Sequence, residues 1–241
     1  MAQQLTLFDL PSKGRNAAWS YNPWKTRLAL NYKNVDYKTE WLEYPDVAPT
    51  LKATGLAPNP GDDDTPYTIP AVRLPSGEVI MDSAKIAPKL EELYPEPSLH
   101  LDSGYSEKLA QIFPEAVGAL RFVLIPRVPG SLLNERSAEY FYRTRKENFG
   151  VPLDVLEKER GGEQAWEKAK APLEKVAAML KENDGPFFLG EQVCYADFVV
   201  VSVLQFCKRI GQDLYDRIVA IDKAYDDIYK ASAKWLERDD H

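Results

Sequence analysis

A hydroxyl group stands immediately before a predicted helix near the start of the chain. Ser20 follows the apolar stretch 5–10 and precedes residues 21–30, in which Asn22 is a favoured N-cap and Pro23 suits the first helical position. The unpaired N–H groups of a first helical turn favour an anion nearby, and a serine hydroxyl can donate a hydrogen bond to that anion. The pattern therefore predicts a site that can hold a thiolate.

Cations surround this serine in the sequence. The segment between Pro11 and Val35 contains no Asp or Glu, and its cationic residues are Lys13, Arg15, Lys25, Arg27 and Lys33. The whole chain, by contrast, has a formal net charge of -7. We therefore expect a local positive potential around Ser20, which would also stabilise an anion.

Composition excludes several other functions. A chain of 241 residues with a net charge of -7 lacks the basic stripe that nucleic acids require, and the short cluster of Arg143, Arg145 and Lys146 is interpreted as a solvated helix end. We find no signal peptide and no apolar run long enough to span a bilayer, so no membrane association is expected and the cytoplasm is the predicted location.

The sequence offers few residues for metal binding or thiol chemistry. Cys194 and Cys207 form no Cys-x-x-Cys pair and are expected to pack in the core, and His100 and His241 are the only histidines. We therefore predict no metal site and no redox disulfide. The acidic run 61–66 is interpreted as a solvated loop, with calcium binding as the alternative.

The predicted elements divide the chain in two. The first part is an α/β unit. It contains, in order, a strand at 5–10, a helix after Ser20, an alternating strand at 35–42, a loop with room for a short helix, a hairpin over 71–81 and a helix after Asp82. Strand signals then nearly vanish, and the helical patterns lie near 105–124, 131–148, 163–183, 195–210 and 213–237. We therefore predict two domains, 1–95 and 105–241.

This organisation resembles a known family. A thioredoxin-like α/β N-terminal domain joined to an all-α C-terminal domain is similar to the glutathione transferase fold of the cytosolic glutathione transferases. The segment Ser20–Arg27 resembles the Ser-x-x-x-Trp-Lys-Thr-Arg motif of the fungal FuA class and of the bacterial β-etherase relatives. The resemblance implies that Ser20 is the catalytic serine, which donates a hydrogen bond to the sulfur of glutathione.

Elementary energetics agree with that role. A free thiol has a pKa near ~8.5, and each unit of depression corresponds to about 1.4 kcal/mol in favour of the thiolate. A hydroxyl donor and a helix N-terminus can together supply one or two units, or roughly 1.4–2.8 kcal/mol. The alternative is that Ser20 is an ordinary turn residue, since serine is common before helices.

Two further motifs carry glutathione-binding roles by the same resemblance. Thr68-Ile69-Pro70 lies where the family has a cis-proline, so that the backbone of Ile69 would pair with the glutathione cysteine like an added strand. Asp82 and Ser83 open a helix where the family usually has Glu-Ser or Gln-Ser, and would bind the ammonium and carboxylate of the γ-glutamyl group. The alternative for Asp82-Ser83 is a helix cap alone.

A fourth motif concerns folding. Residues 190–197 resemble the capping motif of the helical domain, with Asp197 capping the helix that follows. Cys194 stands where the family has Ser or Thr, and a thiol is a weaker acceptor. We therefore expect the Cys194 half of this structural cap to be weak.

The second substrate is expected between the domains. Aromatic side chains make up 11% of the chain, and the candidates for a hydrophobic substrate site, with the protein core as the alternative role, are Trp19, Tyr21, Trp24, Tyr105, Phe113 and Phe122. The resulting hypothesis is a serine-type glutathione transferase, with glutathione as co-substrate, that attacks aromatic electrophiles, including aryl ethers. The alternatives are a ligandin-like protein that binds aromatic or phenolic metabolites and a structural protein that uses the fold. The resemblance also implies a homodimer.

Overall fold

The N-terminal half is built on a mixed four-stranded sheet. The computed structural model describes residues 4–61 and 65–240. The strands are β1 (Leu5–Asp9), β2 (Tyr37–Trp41), β3 (Ala71–Arg73) and β4 (Val79–Met81), in the order β2-β1-β3-β4. β1 is parallel to β2 and antiparallel to β3, and β3 is antiparallel to β4. This arrangement confirms the predicted thioredoxin-like domain, and the aspartates at 62–64 lie outside the described residues.

Three helices cover this sheet. They are α1 (Tyr21–Tyr32), α2 (Tyr44–Ala53) and α3 (Ser83–Leu93), and α1 packs against α3. The prediction that Asn22 caps α1 was wrong, because the N-cap is Ser20 and Pro23 is the third helical residue. Proline is tolerated there because the N–H groups of the first helical turn have no partner within the helix.

The second half is helical throughout, as predicted. Its helices are α4 (Tyr105–Leu132), α5 (Glu135–Phe149), α6 (Leu153–Arg160), α7 (Glu163–Leu180), α8 (Tyr195–Ile210), α9 (Gln212–Val219), α10 (Ala224–Ala231) and α11 (Ala233–Leu236). The sequence did not predict α6, and the helix predicted over 213–237 is three helices. Most side chains of α6 are polar or charged, so it lacks the apolar repeat that identifies longer helices.

Helix α4 is longer and more apolar than expected. It continues eight residues beyond the predicted end at 124, through Pro126 and Pro129, and by length and composition it could cross a membrane. This corrects the expectation that no run is long enough. In the structure α4 packs against α5, α6, α7 and α8, and 33% of its most apolar stretch is buried.

Helix α8 forms the centre of the helical half and begins with a capping box. The Asp197 carboxylate accepts hydrogen bonds from the N–H groups of Cys194 at 2.7 Å and Phe188 at 2.9 Å. The Cys194 side chain faces the N–H of Asp197, so both halves of the box are present. The thiol therefore replaces the usual hydroxyl at this cap.

The last residues of the chain return to the α/β half. The N–H of Ala18 donates to the carbonyl of Asp239 at 2.8 Å, and the Asn31 amide donates to the carbonyls of Trp235 and Arg238. Because Ala18 lies two residues before Ser20, the C-terminal segment helps to fix the loop that carries the serine.

A buried ion pair joins α1 to the sheet. The Arg27 guanidinium donates to the Asp9 carboxylate at 2.8 Å, and neither side chain is exposed to solvent. Arg27 also donates to Thr39 at 3.0 Å and to Tyr37 at 3.3 Å, while the second Asp9 oxygen accepts from the N–H of Leu10. The guanidinium therefore bridges α1, β1 and β2.

Three of the five cations in the expected positive cluster pair with carboxylates. The buried Lys33 ammonium pairs with Glu91 at 2.7 Å, Arg15 pairs with Asp239 at 2.7 Å, and Lys13 donates to the carbonyl of Gly130. Arg27 has its own carboxylate. The positive charge expected around Ser20 therefore does not come from this cluster as a whole, since only Lys25 of the five lines the site described below.

We predict that Arg27→Met lowers the free energy of unfolding by about 3–5 kcal/mol, because it leaves the Asp9 charge buried and uncompensated. Asp9→Asn in the same chain removes that charge and keeps an acceptor for Leu10. The double variant should therefore be more stable than Arg27→Met alone. Urea unfolding measures both, and equal losses in the two variants would contradict the explanation.

The exposed ion pair between Arg136 and Asp46 supplies the matched control. Its arginine side chain is 59% exposed. Arg136→Met should cost no more than about 1 kcal/mol, because exposed pairs contribute little.

We also predict that both cysteines are inert in the folded protein. Burial raises the pKa of the Cys194 and Cys207 thiols to about 12, so a fraction of only ~0.0001 is thiolate at pH ~8. A thiol-specific chromogenic reagent should label neither thiol in buffer and both in denaturant. Labelling of one thiol faster than the protein unfolds would disprove this.

Candidate functional site

Ser20 lies at the opening of α1 with its hydroxyl available. Its carbonyl accepts the first intrahelical bond, from Trp24 at 3.1 Å, and its side chain makes no cap hydrogen bond. Among the described residues the hydroxyl has no partner. Because the N–H groups of Tyr21 and Asn22 belong to the same first turn, three donors stand together at this helix end.

Ser20 lines a cavity of about 180 Å³, here called the Ser20 cavity. A larger cavity of about 660 Å³, here called the large cavity, lies beside it between α1, α4 and α8. The two cavities share the lining residues Tyr21, Val117, Arg121 and Ile125. An anion at Ser20 would therefore be next to a space large enough for a second molecule.

Lys25 lines the large cavity, a position that the sequence did not predict. Its ammonium donates to the Asn22 side chain at 2.9 Å and lies 5.1 Å from the centre of the Tyr21 ring. Burial lowers the pKa of Lys25 to about 8, and the nearby Asp82 charge partly opposes this effect. The sequence placed Lys25 in a general positive cluster, but only the fold places it at the cavity.

Asp82 and Ser83 adopt the geometry of a helix start. Asp82 has a φ of 80° and its carboxylate accepts from the N–H of Ala84 at 3.0 Å, so it caps α3. The hydroxyl and the N–H of Ser83 have no partner in the described part of the chain. The Ser83 carbonyl accepts from the Tyr195 hydroxyl at 3.2 Å, which ties this helix start to α8.

The peptide bond between Ile69 and Pro70 is cis, as the resemblance implied. Pro70 immediately precedes β3, and its carbonyl accepts from the N–H of Asp82 at 3.1 Å. Within the ranges 4–61 and 65–240, no hydrogen bond satisfies the N–H or the carbonyl of Ile69. This short stretch of backbone is free to pair with an extended peptide.

The fold separates the six aromatic candidates. Trp19 lines the Ser20 cavity, Phe113 lines the large one, and Tyr21 lines both. The other three line neither of these cavities: Trp24 is fully buried in the core, Tyr105 packs on Phe188 and bonds to Glu182, and Phe122 packs on Phe149. The core alternative therefore describes Trp24 and Tyr105, whereas Phe122 is only partly buried and packs against the core.

Several lining residues were not predicted. Tyr44 and Phe206 line the Ser20 cavity, and so do Arg121 and Arg145. The interpretation of Arg145 as part of a solvated helix end was wrong. It follows the buried Phe141 by four residues and therefore lies on the same face of α5, a spacing that was readable in the sequence.

No cluster suited to a metal is found in the described ranges. The groups that meet here are a serine hydroxyl, helix N–H groups, an unpaired stretch of backbone and three cations. This set can bind and orient an anion.

Two protein-family models match the chain. The model described as the glutathione S-transferase N-terminal domain matches residues 19–93, and the model described as the C-terminal domain matches residues 109–235. The glutathione S-transferase-like protein ustS of Aspergillus flavus is 34% identical over 253 residues, which cover 97% of this chain and 91% of that protein.

Solved structures of glutathione transferases are similar to this chain over nearly its whole length. A glutathione S-transferase of Ceriporiopsis subvermispora in complex with glutathione is 35% identical and has a TM-score of 0.83. The match covers 98% of this chain and 97% of that one. Glutathione transferase GSTFuA2 from Phanerochaete chrysosporium is 30% identical and has a TM-score of 0.86. The match covers 99% of this chain and 100% of that one. From its sequence and its fold alike, this chain belongs to the glutathione S-transferase family.

Proposed function

We propose that this protein is a serine-type glutathione transferase in which Ser20 stabilises the thiolate of bound glutathione. The observation that supports this most directly is the free Ser20 hydroxyl at the start of α1, beside a cavity with room for a second substrate. The relative from Ceriporiopsis subvermispora was solved with glutathione, which supports the same ligand here.

Glutathione would lie along the ends of the sheet strands. Its cysteine would pair with the free backbone of Ile69 beside Pro70, and its γ-glutamyl group would meet Asp82 and the unpaired N–H and hydroxyl of Ser83. The carboxylate of Asp82 suits the ammonium, although it already accepts from Ala84. This pose would leave the sulfur near Ser20.

Ser20 would act without losing its own proton. Its hydroxyl and the first-turn N–H groups of α1 favour the thiolate over the thiol by about 1.4–2.8 kcal/mol, or one to two units of pKa. The thiolate then attacks an electrophilic carbon of the molecule in the adjoining cavities. Catalysis consists of orientation and charge stabilisation.

The electrophile would be aromatic, because the cavity walls are mostly apolar and include Trp19, Tyr21 and Phe113. With an aryl ether, the carbon–sulfur bond forms as the carbon–oxygen bond breaks, and the phenolate leaves with the electron pair. This β-etherase-like reaction and ordinary conjugation use the same attack. We further propose cytoplasmic location, a homodimer, and the domains 1–95 and 105–241.

A ligandin-like role is the second candidate, since the large cavity of about 660 Å³ can hold an aromatic ligand without any reaction. Turnover separates the two functions. A ligandin would bind aromatic compounds but would not need a depressed thiol pKa.

The proposal predicts that bound glutathione has a thiol pKa one to two units below the free value. In Ser20→Ala the thiol pKa should return most of the way to the free value. Thiolate absorbance during a pH titration measures this. Ser20→Thr keeps a hydroxyl and should retain part of the depression. Ser76→Ala, in the exposed β3–β4 turn, is the control and should leave the titration unchanged.

Two outcomes would contradict the assignment. An unshifted thiol in the native protein would remove the basis for activation and would favour the ligandin. A depressed pKa that survives in Ser20→Ala would leave the transferase but would take the role away from Ser20.

A further inference from the structure

The two cavities are lined by cations and by no carboxylate. Lys25 lines the large cavity, Arg145 lines the Ser20 cavity, and Arg121 lines both, whereas no Asp or Glu lines either of them. In a chain with a formal net charge of -7, acidic side chains are the commoner kind. The charge of these walls is therefore opposite to that of the protein.

The two arginines also lack ion-pair partners. Other arginines on the same helices have carboxylates: Arg127 of α4 pairs with Asp213 at 2.7 Å, and Arg136 of α5 pairs with Asp46. In the ranges 4–61 and 65–240, neither Arg121 nor Arg145 has such a pair.

Aromatic rings hold these guanidinium groups instead. Arg145 lies 4.4 Å from the Phe141 ring centre and 5.8 Å from that of Tyr44. Arg121 lies 4.7 Å from the centre of the Phe122 ring. Arg145 also donates to the Thr144 hydroxyl at 3.1 Å, and a stacked guanidinium keeps its remaining N–H groups available for a planar anion.

Hydrogen-bond donors complete the Ser20 cavity. The hydroxyl of Tyr44 and the buried indole N–H of Trp19 have no acceptor among the described residues. Burial raises the pKa of Tyr44 to about 12, so its hydroxyl keeps its proton and can donate. The Tyr44 ring lies 5.8 Å from the Arg145 guanidinium, and these donors favour a ligand that supplies acceptors.

Glutathione does not account for the two arginines in the proposed pose. Its proposed contacts, Ser20, Ile69, Asp82 and Ser83, all belong to the N-terminal half, whereas Arg121 lies on α4 and Arg145 on α5. Their charge faces the space left for the second substrate.

We propose that the second substrate is an aromatic carboxylate, whose ring lies against the apolar walls and whose carboxylate binds Arg121 and Arg145. This inference rests on the proposed transferase function and specifies its substrate class. The carboxylate would place the ring beside Ser20, so that the reacting carbon faces the thiolate.

A matched pair of aryl chlorides tests the charge alone. The probes are a chlorodinitrobenzoate and the corresponding chlorodinitrobenzamide, with chloride para to the carboxylate or amide. In both, the thiolate attacks the carbon that bears chlorine, the carbon–sulfur bond forms, and chloride leaves with the bonding electron pair. Each kcat/KM is divided by the rate constant with free glutathione, which corrects for intrinsic reactivity.

The native enzyme should prefer the benzoate to the benzamide by about tenfold, and Arg121→Gln and Arg145→Gln should each lower that preference by about threefold. The double variant should lose it entirely. Arg143→Gln is the matched control, because Arg143 stacks on Tyr140 of the same helix but lines neither cavity. It should keep the native preference.

Equal loss with both probes, together with a raised KM for glutathione, would assign the arginines to glutathione and overturn the inference. Turnover with no preference for the benzoate would also overturn it, while the transferase function would stand.

Calorimetry with dinitrobenzoate and dinitrobenzamide, which lack the leaving group, separates the two hypotheses. Suppose that dinitrobenzoate binds in an arginine-dependent way but that chlorodinitrobenzoate is not turned over. That result would retain the anion site and reject the proposed transferase. Absence of benzoate binding would reject the anion site.

Discussion

The buried ion pair between Arg27 and Asp9 is the constraint on which the site depends. It fixes the middle of α1 to β1, while the contacts of the same guanidinium with Tyr37 and Thr39 fix it to β2. The orientation of α1 in turn sets the position of its N-terminus and of Ser20. A charge pair with no solvent exposure is directional in a way that apolar packing is not, and it therefore tolerates little rotation of the helix. Arg27, one of the five cations expected to surround Ser20, serves instead to align the helix.

The helical half completes what the sheet begins. Helix α8 packs against α1, the Tyr195 hydroxyl reaches the carbonyl of Ser83, and the backbone of Asp239 receives the N–H of Ala18. The elements proposed to bind glutathione are thus held in place by residues more than a hundred positions away in the chain. The cavities arise where α4, α5 and α8 face this assembly. Their volume belongs to the contact between the two halves and to neither half alone.

Electrostatics divide the cations near the site into two groups. One group is paired with buried or local carboxylates, as Arg27 and Lys33 are. The other, formed by Lys25, Arg121 and Arg145, faces the cavities. Only the second group is available to a ligand. A count of cations along the sequence cannot separate the groups, because it carries no information on which side chains meet an acid in the folded chain.

The sequence by itself determined the two-part architecture, most strands and long helices, and the motifs at Ser20, Ile69-Pro70 and Asp82-Ser83. These follow from local signals: alternation, helical repeats, caps and short motifs. It did not determine the lining of the cavities. Trp24 and Trp19 look alike in sequence and are both buried, yet only Trp19 lines the Ser20 cavity; Arg145 looked like surface and lines the same cavity. Only the tertiary structure decided these roles, because a cavity is defined by long-range packing, and the direction of a side chain within a helix acquires meaning only when its neighbours are in place.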